Sequence, residues 1–397
     1  MGFKPKAAEE RVSWLEEKAR ERALKNDTKE ETEIKKIVNR EEIRRVHRRI
    51  RRMNGKERNV GTSMVIAKDM NGQKTEISEQ SKLEDAIMQT NKEKFLQCKD
   101  TPFYKEPLWS EFDEGCEGSN YDRVLKGEWN PRPGKNSYSM ELIKHMERHP
   151  QIENTPDVVP TREIQEEWKH SKESTSSGIS GLHFGHMKTI CKESKEASTI
   201  LAVISGVAMK TGYSLCRWKK LLNVMLLKEE GIHDVEKLRT IQLFEADLNK
   251  NNKLIARSMM SKAEKVRAIV GEQYGNRKGH KAVYQAVNKR LMFDIARQNK
   301  VSAVLCSNDA KSCYDRIVHP IVMMALRRLG VSKGPILSMI RSFQDMKHFL
   351  RTAYGDTDRY YTSDGESIKF HGVGQGNGMA PAIWTAGEHG DVRGTEI

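Results

Sequence analysis

Between Phe370 and Pro381 the chain reads Phe-His-Gly-Val-Gly-Gln-Gly-Asn-Gly-Met-Ala-Pro, with Gly372, Gly374, Gly376 and Gly378 at every second place. Such a run makes a poor helix and a poor packed strand, because each glycine loses more backbone freedom on ordering and brings no side chain to bury. What it permits is close approach of main chain to something bulky. It is not a dinucleotide fingerprint, since too little sequence follows to place the acidic partner about 20 residues on. No Gly-x-x-x-x-Gly-Lys-Ser/Thr run occurs, so a P-loop ATPase is unsupported.

Upstream, Val301-Ser-Ala-Val-Leu-Cys-Ser-Asn308 reads as a buried strand of small and β-branched residues that ends at Asp309. A helix-competent segment follows, with Gly330 as its cap after Leu329. A carboxylate at the end of a strand is a natural place for a hard cation. Alone the signal is weak, because two aspartates six residues apart arise often by chance. Lys347 to Tyr354 and Arg359 to Ser363 show period-2 patterning around Gly-Asp-Thr-Asp, which predicts a β-hairpin.

Charge narrows the class of partner. Lys plus Arg number 69 against 55 Asp plus Glu, a formal charge of +14. Hydrophobic residues are only 37% and the mean hydropathy is −0.72. No run approaches the ~18 apolar residues of a membrane span, so a membrane-embedded protein is excluded, and a polyanion is the expected partner. Cys98, Cys116, Cys191, Cys216, Cys306 and Cys313 form no Cys-x-x-Cys pair, so neither a zinc ribbon nor a disulfide framework is indicated. With no signal-peptide core at the N-terminus, a reducing interior, cytoplasm or nucleus, is expected.

Residues 1–100 read as a charged, mostly helical N-terminal region. Ile43, Val46, Ile50 and Met53 make one apolar stripe, while Arg44, Arg45, Arg48, Arg49, Arg51 and Arg52 cover the rest of that helix. Either the helix docks by its stripe with a solvated basic face, or it lays its arginines along a phosphate backbone. The second is favoured, because so many adjacent arginines repel without an anion. A coiled coil would need a longer apolar repeat. Residues 101–160 hold seven of the 11 prolines and read as a loop or linker. Residues 161–214 form a helical segment, 215–384 the informative part, and 385–397 a divergent tail. His183 and His186, with Cys191 nearby, form no four-ligand pattern, so a Gly/Ser loop leading into a helix is the reading there.

In this order the pieces resemble the fingers and palm of a reverse transcriptase of the non-LTR retrotransposon type. Asp309-Ala-Lys-Ser-Cys-Tyr-Asp315 is similar to the family's first palm motif, and Phe370 to Pro381 to the second. Trp218 to Lys228, Leu238 to Phe244, Lys253 to Arg257 and Glu272 to Arg277 are similar to its fingers motifs. The resemblance implies an α+β fold, a partial right-hand polymerase of fingers and incomplete palm. It implies nucleotidyl transfer with two Mg²⁺, acting on an RNA template, a DNA primer and dNTPs. By the same resemblance Asp309 and the Ala310 carbonyl would hold metal. Tyr314 would select dNTPs, and Lys228 and Arg239 would face the triphosphate. Gln375 and Gly376 would position the template and nascent pair, while Arg257 and Arg277 would lie along nucleic acid. Asp315 has the weaker case, since a helix-start carboxylate explains it.

The family's Asp-Asp hairpin has no counterpart, because no two aspartates are adjacent anywhere. The sequence given runs only 397 − 376 = 21 residues past Gly376. The expectation is therefore a truncated reverse transcriptase with negligible polymerase activity, whose palm sheet leaves an edge and an apolar face exposed. The alternative is a basic RNA- or DNA-binding protein that kept charge and lost catalysis.

Overall fold

In a computed structural model the chain divides into two units, Met1–Val60 and Gly61–Ile397. The structure describes residues 16–17, 61–68, 72–134, 136–155, 160–305, 309–310 and 312–392, with side chains as far as Gly387. The arginine stripe from Arg44 to Arg52 lies outside the described residues.

The apolar run Lys220–Leu226 forms β3, the centre of a four-stranded sheet. Arg239–Leu243 (β4) pairs with it antiparallel, Lys347–Thr352 (β5) parallel, and Gly355–Tyr361 (β6) antiparallel to β5. The predicted hairpin is thus present, but its turn falls at Ala353 and Tyr354, before the Gly-Asp-Thr-Asp segment, which joins β6. Strand alternation sorts the two faces. Leu221, Asn223, Met225, Thr240, Gln242, His348 and Leu350 are buried on one. Val224, Leu226, Ile241 and Phe349 are half-buried on the other, with Arg239 and Arg351 exposed among them.

Helix α1, Gln80–Phe95, covers the buried face. Leu83, Ile87 and Phe95 recur at four- and eight-residue steps and pack with Met225, Leu350 and Phe370. Asn91 sits in the same stripe, where its Oδ1 accepts from the Thr240 hydroxyl at 3.0 Å, so this buried amide is not left unsatisfied. A small antiparallel ribbon, Val65–Lys68 (β1) and Lys74–Ile77 (β2), lies beside this layer.

The remaining helices build a second core. Leu108–Glu111 (α2), Asn120–Leu125 (α3) and Ser137–Lys144 (α4) fall within the proline-rich 101–160. That segment is irregular in path but is no tether. Phe103, Phe112, Tyr121, Trp129 and Ile143 are buried in the same core as the later helices. Large apolar side chains outweigh proline punctuation here, because they have more area to bury. Thr161–Lys169 (α5), Phe184–Glu193 (α6), Lys195–Thr211 (α7) and Ala246–Lys265 (α8) follow. Ala282–Gln298 (α9) has no buried residue. Cys313–Arg316 (α10) is a single turn before His319–Arg328 (α11) and Lys333–Gln344 (α12). Helix α13, Ala380–Val392, runs past the expected boundary at 385, and Thr385 and Ala386 are buried in it. No helix of the described residues is long and apolar enough to cross a membrane.

The expected strand over Val301–Asn308 does not form over its described part. Residues 301–305 are irregular and exposed, and 306–308 lie outside the described residues. A strand needs a neighbour to satisfy its backbone. The sheet runs β4-β3-β5-β6 and no described strand pairs with this apolar run.

Candidate functional site: a glycine loop against the sheet edge

Phe370–Pro381 crosses from the sheet to α13, and its glycines lie where backbone meets backbone. The Gly372 and Val373 amides donate to Ile317 and Tyr314 carbonyls at 3.0 and 2.8 Å. A Cβ on Gly372 would stand 2.7 Å from the Tyr314 oxygen and 2.9 Å from Asp315 Cα. Three residues later the loop adds itself to the outer edge of β4, where Gln242 N–H donates to the Gln375 carbonyl at 2.8 Å. Asn249, in the first turn of α8, clamps the far side. Its Nδ2 donates to the Gly376 carbonyl at 3.0 Å, and its Oδ1 accepts from Gly378 N–H at 2.5 Å. Three sequence-distant segments are thereby joined: the Tyr314–Asp315 turn, β4 and the glycine loop. Gln375 is half-buried and Gly376 exposed, so the loop shows its crest to solvent.

Asp315 belongs to this site more than the sequence suggested. It is half-buried on α10, and burial lifts its carboxyl to about 6, with Lys94 acting against the shift. Asp309 and Ala310 are exposed. Both aspartates raise the Cys313 thiol, after burial as the larger cause, so the two carboxyls flank one cysteine. Tyr314 packs its ring against the helical core. Among the described residues no group of three or more His, Cys, Asp or Glu side chains is placed to hold a metal. Asp309 and Asp315 with one backbone carbonyl are fewer oxygens than would fix two Mg²⁺ ions.

The predicted cations separate into two kinds. Arg239 opens β4 opposite Leu226, and Lys228 follows β3 two residues later, both exposed at one end of the strand pair. Lys253 and Arg257 continue the line of Asn249 along α8 at four-residue steps, about 6 Å of helix rise each. Burial, then the charges of Arg257 and Lys250, hold the Lys253 amine below the usual lysine range. The only carboxylate among the neighbours that shift it is Glu167, already bound by Lys250 Nζ at 2.7 Å and by Arg257. This ridge therefore carries more positive charge than it neutralises. Arg277 is different. Its side chain is only 8% exposed and its guanidinium grips both Glu264 oxygens and the Val270 and Gln273 carbonyls. It ties the 270–277 loop to α8 and uses four of its five N–H donors in doing so.

Sequence reasoning missed the polar seat under the loop. Gln344 Nε2 donates to His319 Nδ1 at 3.1 Å, which leaves the proton on Nε2, donating to the Gly372 carbonyl at 3.0 Å. The His319 backbone N–H donates to His371 Nδ1 at 3.1 Å, so His371 Nε2–H faces Tyr104 Oη and the Glu114 carboxylate. The one signal was a histidine beside each structural break, at Val-His-Pro and Phe-His-Gly. The pair singled out instead, His183 and His186, is exposed and caps α6 through a 3.4 Å contact from His183 N–H to His186 Nδ1. Cys191 is buried.

No protein-family model and no curated protein matches this chain.

Proposed function

We propose that the chain is a reverse-transcriptase-like fingers and partial palm that binds template–primer nucleic acid without extending it. The observation that carries this reading is the joining of the glycine loop, the Tyr314–Asp315 turn and the edge of β4. These are the segments that carry the motif resemblance, and they meet although they lie far apart in sequence. The crest at Gln375 and Gly376 lies at the start of the cationic ridge of Lys253 and Arg257. A phosphate backbone that follows this ridge would pass the loop where the family positions its template. Lys228 and Arg239 offer cations for a triphosphate at the end of β3 and β4.

The test is binding of a labelled single-stranded RNA and an RNA–DNA hybrid across a salt series. Affinity should fall linearly on a log–log plot, and Lys253→Gln should lower the slope on single strands by about 0.7, the value of one phosphate contact. Arg277→Gln should leave that slope unchanged, since its charge is already paired with Glu264 and its side chain is buried. A salt-independent affinity, or none, overturns the reading. With Mg²⁺ and dNTPs added, primer extension should be absent; a product lost in Asp309→Asn would show that the site is catalytically complete after all.

A further inference from the structure

Helix α1 covers one face of the four-stranded sheet; the other carries rings and cations that the two cores do not use. Phe349 on β5 and Tyr360 on β6 lie directly opposite each other in register, with ring centroids 5.3 Å apart and planes inclined by 50°. Tyr360 is 44% exposed and Phe349 half-buried, and neither belongs to a buried core. Lys347 stands two residues before Phe349 on the same face, with its Nζ 4.8 Å from the centre of the Tyr360 ring. Lys220, exposed on β3, is the register partner of Lys347. Two ammonium groups on strands ~4.8 Å apart repel each other, and neither has an ion-pair partner among the described residues. The nearby carboxylates are spent elsewhere: Asp345 on Lys219 at 2.7 Å, and Asp356 on Arg351 at 2.5 Å. Asp358, two residues before Tyr360 on the edge strand, is the acidic group that stays unpaired there among the described residues.

We infer that this face is a second seat for single-stranded nucleic acid, with a base stacked on Tyr360 and the adjoining phosphate between Lys220 and Lys347. An exposed aromatic ring on the open face of a sheet offers a π-surface that any base can use. The lysine pair supplies positive charge that the chain itself does not neutralise. An acidic surface without bases would answer the lysines alone, whereas a nucleic-acid strand answers the lysines and the ring together. The seat is separate from the glycine loop and its ridge. That loop joins the outer edge of β4, and Tyr360 is on β6 at the opposite edge, three strand spacings or ~14 Å across the sheet.

The test is fluorescence anisotropy of the full chain with a labelled oligodeoxythymidine of about 12 nucleotides, compared with a strand of equal length whose sugars are abasic. The native chain should bind the base-bearing strand more tightly by about fivefold or more, the lower end of what one stacked base contributes. Tyr360→Leu keeps an apolar side chain over Phe349 but has no π-surface, and it should abolish that preference. Tyr360→Phe should restore it. Tyr138→Leu removes a tyrosine that is 87% exposed on α4 and should leave the preference as it is. No preference in the native chain overturns the inference. So does a preference that survives Tyr360→Leu, or one lost in Tyr138→Leu. If Tyr360→Leu proves ill-folded by circular dichroism, Lys220→Gln combined with Lys347→Gln decides. That variant should weaken binding of the base-bearing strand, and an unchanged affinity overturns the seat equally.

Discussion

Gly376→Ala should cost the folded protein about 3 kcal/mol or more in urea unfolding, and with it the nucleic-acid binding proposed above. Gly376 sits at φ +131°, and a Cβ there would stand 2.2 Å from the Gln242 carbonyl oxygen. That oxygen belongs to β4 and is held by the sheet, so it cannot retreat as a flexible side chain would. The loop must lift instead, giving up the Gln242 to Gln375 bond and the Asn249 clamp, at about 1 kcal/mol for each hydrogen bond. Backbone strain at positive φ adds about 1–3 kcal/mol. Gly365 separates the two causes. It too has positive φ, +83°, but nothing lies within 4 Å of its Cβ position. Gly365→Ala should therefore show the strain alone, about 1 kcal/mol. If the two variants lose the same stability, the loop does not press on β4, and the joining of the three segments is wrong.

Some of this site is legible in the sequence and some is not, for reasons that differ by residue. Alternating glycines announce a close backbone approach, because nothing else explains four residues without side chains at every second place. They do not say what is approached; β4 and α10 are set by tertiary pairing. Lys253 and Arg257 are visible as cations, but that Arg277 is spent on Glu264 depends on a loop that only folding brings round. Val301–Leu305 has the composition of a buried strand, and composition cannot report whether a neighbouring strand exists. The same blindness applies to α9, whose apolar pattern states a demand for cover and not its source. Proline content misleads over residues 101–160, where Phe112, Tyr121 and Trp129 outweigh it by burying large rings together.

The buried histidines make the protein acid-labile within a narrow window. Burial pushes His319 down to about 4, and His348 and His371 to about 3. Each is lower when folded than the ordinary 6.5, so below that value the unfolded chain binds more protons, and acidification favours unfolding. The loss begins near pH 6.5 and would continue to the folded values, at about 1.4 kcal/mol for each unit of depression per histidine. Two carboxyls oppose it. Burial raises Asp315 to about 6 and raises Glu114, so the folded chain takes up those protons first as pH falls, which stabilises it. Asp315 acts over only about two units, against three histidines that each act over more, so the histidines win. Their combined demand, about 13 kcal/mol, less about 3 kcal/mol for Asp315, is comparable with the ~5–15 kcal/mol of an ordinary folded domain, and unfolding should therefore begin before the folded values are reached, with a midpoint between pH 4 and 6. Urea titrations at half-unit steps check this. His348→Phe isolates one contribution: the ring stays among Phe95, Tyr361 and Phe370, while the Asn223 Nδ2 contact at 3.2 Å is lost. The variant should be weaker by about 1 kcal/mol at pH 7 yet flatter below pH 6.5, so that the two stability curves cross. Parallel curves would mean that His348 is not buried in its neutral form, and the packing of α1 and Phe370 around β5 would have to be redrawn.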